Sequence, residues 1–247
     1  MVIEAVTSQE APPGAGRDSV FSSVRQLDQP PLILPVGLAF DSRLKMEGLR
    51  FLGLLPDAAV PVAFLDPQYR GVLDHLAYGN EGVRRGAGRA ALPQMTDEIP
   101  SFIRELDRCL MPSGHLFLWT DKYHLCTGFG DWLAGTALAI VDMVTWHKKR
   151  IGMGYRTRRA SEYLVVLQKA PRKAKGVWKV HTIPDVWSEA VEPRNRVHPK
   201  PVGLQAALIE AVSNPGDVVV DPAAGSFSVM EACRQKGRSF LGCDING

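Results

Sequence analysis

The chain has 247 residues, 45% of them hydrophobic, with a mean hydropathy of −0.06 and a formal net charge of +3. This composition is ordinary for a soluble globular protein and supplies enough apolar material to bury a sizeable core. No apolar run approaches the roughly 18 residues needed to cross a bilayer, and the start MVIEAVTSQEAPPGAGRDS lacks the charged-then-apolar order of a secretory leader, so a cytoplasmic protein is predicted.

Residues 1–30 are rich in Pro, Gly, Ser and Gln and read as a flexible extension; residues 31–247 read as one domain. Beyond residue 30, unbroken apolar runs recur: 60–65, 115–119, 139–144, 163–167, 218–220 and 239–243. Short and rich in β-branched residues, they predict strands buried on both faces. Helices are predicted between them. One begins at Thr96–Asp97–Glu98 and presents Ile99, Phe102, Ile103, Leu106 and Leu110 on one stripe, ending at Pro112–Ser113–Gly114. Others span 204–212 and 228–236, the last closed by Gly237. The alternation predicts a mostly parallel α/β sheet, except that the runs at 139–148 and 161–169 have no helix between them and predict an antiparallel hairpin.

Charge is unevenly spread. From Thr145 to Val180 eleven basic residues, Lys148, Lys149, Arg150, Arg156, Arg158 and Arg159 among them, stand against the single acid Glu162. Such an excess is the footprint of contact with a phosphate backbone. Glu162 itself reads as a pairing partner for neighbouring arginines. Trp178 is the tryptophan expected at the nucleic acid, while Trp119, Trp132, Trp146 and Trp187 are expected in the core or at its rim. The cysteines Cys109, Cys126, Cys233 and Cys243 form no CxxC pair and the histidines show no ligand spacing, which fits reduced thiols and indicates no metal.

The run Val218–Val219–Val220–Asp221–Pro222–Ala223–Ala224–Gly225–Ser226 is a strand entering a small-residue turn and then a helix, a place where a ligand can approach the backbone of an open sheet. The next strand ends at Asp244, nineteen residues after Gly225, the interval at which an acid meets ribose hydroxyls in nucleoside-binding folds. The pyrophosphate fingerprint GxGxxG is missing, so the expected ligand is a nucleoside without pyrophosphate, such as S-adenosylmethionine. A second strand ends in Phe64–Leu65–Asp66–Pro67–Gln68–Tyr69. The Asp66 carboxylate and the Pro67 carbonyl are acceptors able to draw both N–H bonds of a base amine out of the ring plane, and Tyr69 is a platform for a base extruded from a duplex.

Together these pieces resemble the β class of DNA amino-methyltransferases, in which a DPPY or SPPY tetrad precedes the cofactor motif. Further stretches share the resemblance in family order. Glu47–Gly48–Leu49 through Leu55–Pro56–Asp57 is similar to GDALEVLKELPD, Leu110–Met111–Pro112–Ser113–Gly114–His115–Leu116 to LKPGGxL, Glu162 to Lys169 to EYILVFxK, and His198–Pro199–Lys200–Pro201 to a shortened HPTQKP. Asp185–Val186–Trp187 and Pro215–Gly216–Asp217 also fall in place. The resemblance implies a seven-stranded, Rossmann-like class I methyltransferase sheet, mostly parallel with one antiparallel strand, in permuted order. It implies S-adenosylmethionine as cofactor, held by Glu47, His198, Lys200, Asp221, Ala223, Gly225, Ser226 and Asp244. It further implies Asp66, Pro67 and Tyr69 as the catalytic set, and double-stranded DNA as partner through a small basic insertion at 146–180 carrying Lys148, Lys149, Arg150, Arg156, Arg158 and Arg159. A homodimer and a cognate restriction endonuclease also follow from it. The leading Asp favours adenine N6. Cytosine N4, an RNA or protein-glutamine amide, and a non-catalytic nucleic-acid-binding relative are the alternative readings. Gln68 stands where the family has a second proline, and the glycine-rich segment 70–89 is expected to be a mobile loop closing over cofactor and DNA.

Overall fold

The computed structural model describes residues 28–67, 95, 97–152, 157–190 and 199–247. Gln68, Tyr69, the expected loop at 70–89, Arg156, His198 and the extension up to residue 27 lie outside the described residues. The described elements are, in chain order, β1 (Leu44–Lys45), α1 (Gly48–Leu52), β2 (Val60–Leu65), α2 (Ile99–Cys109), β3 (Leu110–Thr120), α3 (Lys122–Thr127), a 3-10 turn at Gly130–Leu133, β4 (Leu138–His147), β5 (Ser161–Lys169), β6 (Val186–Ser188), α4 (Val202–Val212), β7 (Val218–Asp221), α5 (Ser228–Lys236) and β8 (Ser239–Asp244).

One eight-stranded sheet runs β1-β8-β7-β2-β3-β5-β4-β6. Only β5 opposes its neighbours, pairing antiparallel with β3 and β4, while the other adjacent pairs are parallel. The expected mostly parallel sheet with one antiparallel strand is therefore present. The strand count is eight rather than seven: two short strands, β1 and β6, flank a core of six. β6 carries Val186–Trp187, which is legible in the sequence only as a family motif.

The apolar runs became strands because their side chains fill both faces. In β2 every residue is buried; Ala63 and Leu65 join the core beneath α1 and α2, whereas Val62 and Phe64 join the core beneath α4 and α5. The α2 stripe Ile99, Phe102, Ile103 and Leu106 is buried as its spacing predicts. Pro112–Ser113–Gly114 does not end the helix as expected. The helix stops at Cys109, and these residues form an irregularity inside β3: Val60 faces Leu110 but Val62 faces His115, with Ser113 at φ +66°. The extra residues are absorbed as a bulge.

β4 departs from the expectation of burial on both faces. Ile140, Val141 and Met143 are 55%, 43% and 38% exposed. The register skips between Ile140 and Asp142, leaving Val141 without an opposite residue and setting Ile140 and Met143 on one face, opposite Leu167 and Val165. The last residues of the expected extension meet the sheet. Gln29 is clamped to the sheet, its Nε2 donating to the Ala59 carbonyl and its Oε1 accepting from the Val218 N–H, at 2.9 and 2.6 Å.

Because β2, β3, β4, β7 and β8 run in the same direction, their carboxyl ends share one edge. Asp66, Lys148, Asp221 and Asp244 stand at or just past those ends, and Glu162, near the start of the reversed β5, is brought to the same edge. The basic segment 146–180 is not a separate insertion. Its middle is the core strand β5, so the segment is split between the two edges of the sheet. Lys169 donates to the carbonyls of Asp107 and Leu110, and Lys179 to the Asn214 side chain. Trp178 packs edge-on against His115 at 5.8 Å and donates to the Val180 carbonyl. These residues lie away from the carboxyl edge, and of the basic residues described in this segment Lys148 is the one whose charge reaches Asp66.

Candidate active site

The turn after β7 is built by its own backbone. Asp221 is buried, and its Oδ1 accepts from the Ala223 N–H at 3.1 Å, while the Ala224 N–H donates to the Cys243 carbonyl at 2.9 Å. Gly225 takes φ +50°, and its N–H donates to Asp244 Oδ2 at 3.2 Å. The nineteen-residue interval read from the sequence is thus a direct hydrogen bond between the turn and the end of β8. Ala223 and Ser226 are half-buried beside the exposed Gly225. Gly242 is where the two strands press together: a Cβ there would lie 2.3 Å from the Asp221 carbonyl and 2.5 Å from the Phe240 ring. Burial pushes the Asp221 carboxyl well above the usual range. The Ala223 N–H opposes this, and the charges of Asp66 and Asp244 add to it. Asp221 therefore lies within reach of the charges of two other carboxylates at the carboxyl edge.

Glu47 lies near the same edge. It follows β1, whose pairing with β8 continues through the Met46 N–H to the Asp244 carbonyl at 3.1 Å. Both Glu47 oxygens cap α1, accepting from the N–H groups of Leu49 and Arg50 at 2.8 and 2.7 Å.

At the end of β2, Asp66 keeps 38% of its side chain exposed, and Pro67 is buried. Lys200 reaches Asp66 Oδ2 at 3.0 Å and Glu162 Oε2 at 2.8 Å, and Lys148 pairs with the other Glu162 oxygen. The two lysines lie over a tryptophan floor. Lys200 Nζ is 4.8 Å from the Trp119 ring centre, Lys148 Nζ is 5.2 Å from that of Trp146, and the two indoles pack edge to face at 6.0 Å. Burial raises Asp66 above its ordinary value against the pull of Lys200, with Glu162 adding to the rise. Burial works against ionised Glu162 as well, yet Lys200 and Lys148 hold it down at about 2. The Thr120 hydroxyl, at the end of the adjoining β3, is buried without a hydrogen-bond partner among the described residues.

Several sequence expectations change here. The resemblance counts Lys200 among the cofactor-binding residues; its carboxylate partners in the structure are Asp66 and Glu162. Glu162 pairs with two lysines rather than with arginines. Lys148, expected on DNA, turns inward with 19% of its side chain exposed, whereas Lys149, Arg150, Arg158 and Arg159 are exposed on the loop. Glu189 escapes a reading of the sequence altogether. Its carboxylate accepts from the N–H groups of Gly203 and Leu204, both at 3.0 Å, and from Trp187 Nε1 at 2.7 Å. It thereby pins the start of α4, and with it the segment bearing Lys200. Nothing in its sequence context marks it, since it caps a helix thirteen residues downstream.

The DNA methylase family, comprising N6 and N4 amino-methyltransferases, matches residues 87–247. The Type II methyltransferase M.HhaII of Haemophilus parahaemolyticus is 57% identical over 203 residues, which cover 81% of this chain and 89% of that protein. Among solved structures, the cytosine-N4-specific PvuII DNA methyltransferase superposes with a TM-score of 0.64 at 14% identity, covering 84% of this chain and 83% of that one. The M1.HpyAVI complex with SAM superposes with a TM-score of 0.58 at 16% identity, covering 82% and 92%. These two structures share the fold, and the sequence match carries the kinship: the chain belongs to the N6/N4 family of DNA methylases.

Proposed function

We propose that the protein transfers the methyl group of S-adenosylmethionine to N6 of adenine in double-stranded DNA. The observation that carries this reading is the meeting of two strand ends: Asp66–Pro67 after β2 and the Asp221–Gly225 turn after its parallel neighbour β7. An acceptor pair for an amine and a nucleoside-type turn thus open into one cleft.

The cleft suits the cofactor. The charges of Asp66 and Asp244 both act on Asp221, so a ligand carrying positive charge relieves the repulsion among them. When bound, S-adenosylmethionine supplies a methyl group on a cationic sulfur. Asp244 is placed to accept from ribose hydroxyls, the Ala223–Ser226 turn lets the nucleoside come close to the backbone, and Glu47 borders the same pocket. Asp66 and the Pro67 carbonyl accept the two amine N–H bonds, which takes the nitrogen lone pair out of conjugation with the base. The raised proton affinity of Asp66 suits it to take the proton that the nitrogen sheds. Tyr69 follows in sequence as the stacking platform. Lys149, Arg150, Arg158 and Arg159 supply phosphate contacts on the same edge.

Asp rather than Ser at the head of the tetrad supports adenine over cytosine. The open apolar strip Ile140, Val141 and Met143 supports a second copy as partner, the Type II relative supports a companion restriction endonuclease, and the DNA substrate supports a cytoplasmic location. Incubation with labelled cofactor and duplex DNA, RNA or protein, followed by digestion and chromatography, tests the central reading. N6-methyladenine from the DNA arm is expected, whereas N4-methylcytosine, label in RNA or protein, or no product overturns it.

A further inference from the structure

With Asp66 as the amine acceptor of the proposed reaction, the ion cluster behind it still has no role. Lys200 arrives from the segment leading into α4, Glu162 from β5 and Lys148 from the root of the hairpin after β4, so three separate stretches of chain converge on one carboxylate. The side chains of Lys200, Lys148 and Glu162 are 16%, 19% and 30% exposed. A surface ion pair is loosely held and contributes little. Here each lysine ammonium sits over an indole, each oxygen of Glu162 has its own ammonium, and the origin of Lys200 is pinned by Glu189 at the head of α4. Charges so enclosed are worth their desolvation only where orientation matters.

We propose that Lys200 is a positioning residue: by occupying Asp66 Oδ2 it fixes the orientation of the carboxylate and leaves Oδ1 to accept from the target amine, while Glu162, itself tethered by Lys148, holds Lys200 in place. The proposal rests on the methyl-transfer reading and assigns Lys200 to the catalytic half rather than to the cofactor. The charged groups acting on Asp66 are Lys200, Glu162 and Lys148, and Asp221, at the end of β7, feels the charge of Asp66 in turn. Lys200 and Lys148 favour the ionised form of Asp66; Glu162 disfavours it. Removing Lys200 and neutralising Glu162 must therefore move the titration of Asp66 in opposite directions, which a merely structural cluster does not require.

The test follows the full-length chain and its Lys200→Met, Lys200→Arg and Glu162→Gln variants with three readouts: cofactor affinity by calorimetry, single-turnover methyl transfer to duplex DNA against pH, and the carboxyl carbon-13 titration of Asp66. Lys200→Met is expected to bind cofactor within about threefold of the parent, to lose roughly 100-fold in transfer rate at neutral pH, and to shift the acid limb and the Asp66 titration upward. Lys200→Arg keeps the charge and is expected to recover most of the rate, which separates the effect from misfolding. Glu162→Gln is expected to shift the Asp66 titration downward. A Lys200→Met protein with lost cofactor binding and an unmoved Asp66 titration overturns the assignment, as do shifts of the same sign in both neutral variants. If the parent protein yields no methylated DNA, the functional reading fails, while the carboxyl titration still decides the place of Lys200.

Discussion

At the half of the carboxyl edge proposed as catalytic, Asp66 and Glu162 are matched by Lys200 and Lys148; at the half proposed for the cofactor, among the described residues, Asp221 and Asp244 are answered by backbone N–H groups alone. The halves are neighbours on one sheet and equally rich in carboxylates, yet only one carries its own counter-charge. A balanced cluster suits a carboxylate that must keep its orientation while a neutral amine enters. An unbalanced one suits a site whose ligand brings the positive charge.

The largest expected effect breaks the catalytic half and spares the other. Asp66→Ala should lower methyl transfer at least about 10³-fold, by removing both acceptor and base, with cofactor affinity by calorimetry essentially unchanged. Gly242→Ala strikes where the two cofactor strands meet. With the new Cβ inside contact distance of the Asp221 carbonyl and the Phe240 ring, urea unfolding should show a loss of about 2–3 kcal/mol, the cost of overpacking a site that cannot shift. Asp244→Ala should weaken cofactor binding roughly 10- to 100-fold through lost hydrogen bonds to a charged acceptor, read by calorimetry, while transfer at saturating cofactor falls less. Glu162→Gln sharpens the contrast through pH. The folded protein holds Glu162 at about 2 against an ordinary 4.5, so the stability it contributes is present above about pH 4.5 and lost as pH falls toward 2. The variant should be less stable at pH 7 by on the order of 1 kcal/mol and decline less on acidification, as followed by denaturant titrations across that range. The smallest effect belongs to the exposed loop. Arg150→Ala should weaken DNA binding a fewfold for any sequence and reduce the slope of log affinity against log salt by about 1 in fluorescence anisotropy.

The same contrast governs what can be read without coordinates. The cofactor half is local: Val218–Val220, the small-residue turn and Asp244 lie within one strand–helix–strand unit, so spacing alone locates the hydrogen bond between Gly225 and Asp244. The catalytic half is not. Asp66 is 96 residues from Glu162 and 134 from Lys200, and ion pairs between such distant residues leave no periodicity or spacing in the chain. By composition Lys148 is one more cation in a basic run, and only its inward rotamer over Trp146 distinguishes it from Lys149 and Arg150. The bulge at Ile140–Asp142 is equally hidden, because an apolar run looks the same whether both its faces are covered or one is open.

From the sequence by itself came the α/β class, six of the strands, the three main helices, the permuted order of the two motifs and the family resemblance, because each depends on residues close together in the chain or on their order along it. The tertiary structure alone decided that the basic segment is divided between opposite edges of the sheet, that Glu189 anchors α4, and that Lys200 pairs with Asp66 and Glu162. Those are consequences of strand direction: reversing β5 between two parallel strands carries Glu162 to the carboxyl edge and Lys169 to the other, and the partners of a buried charge are settled by which strand ends meet.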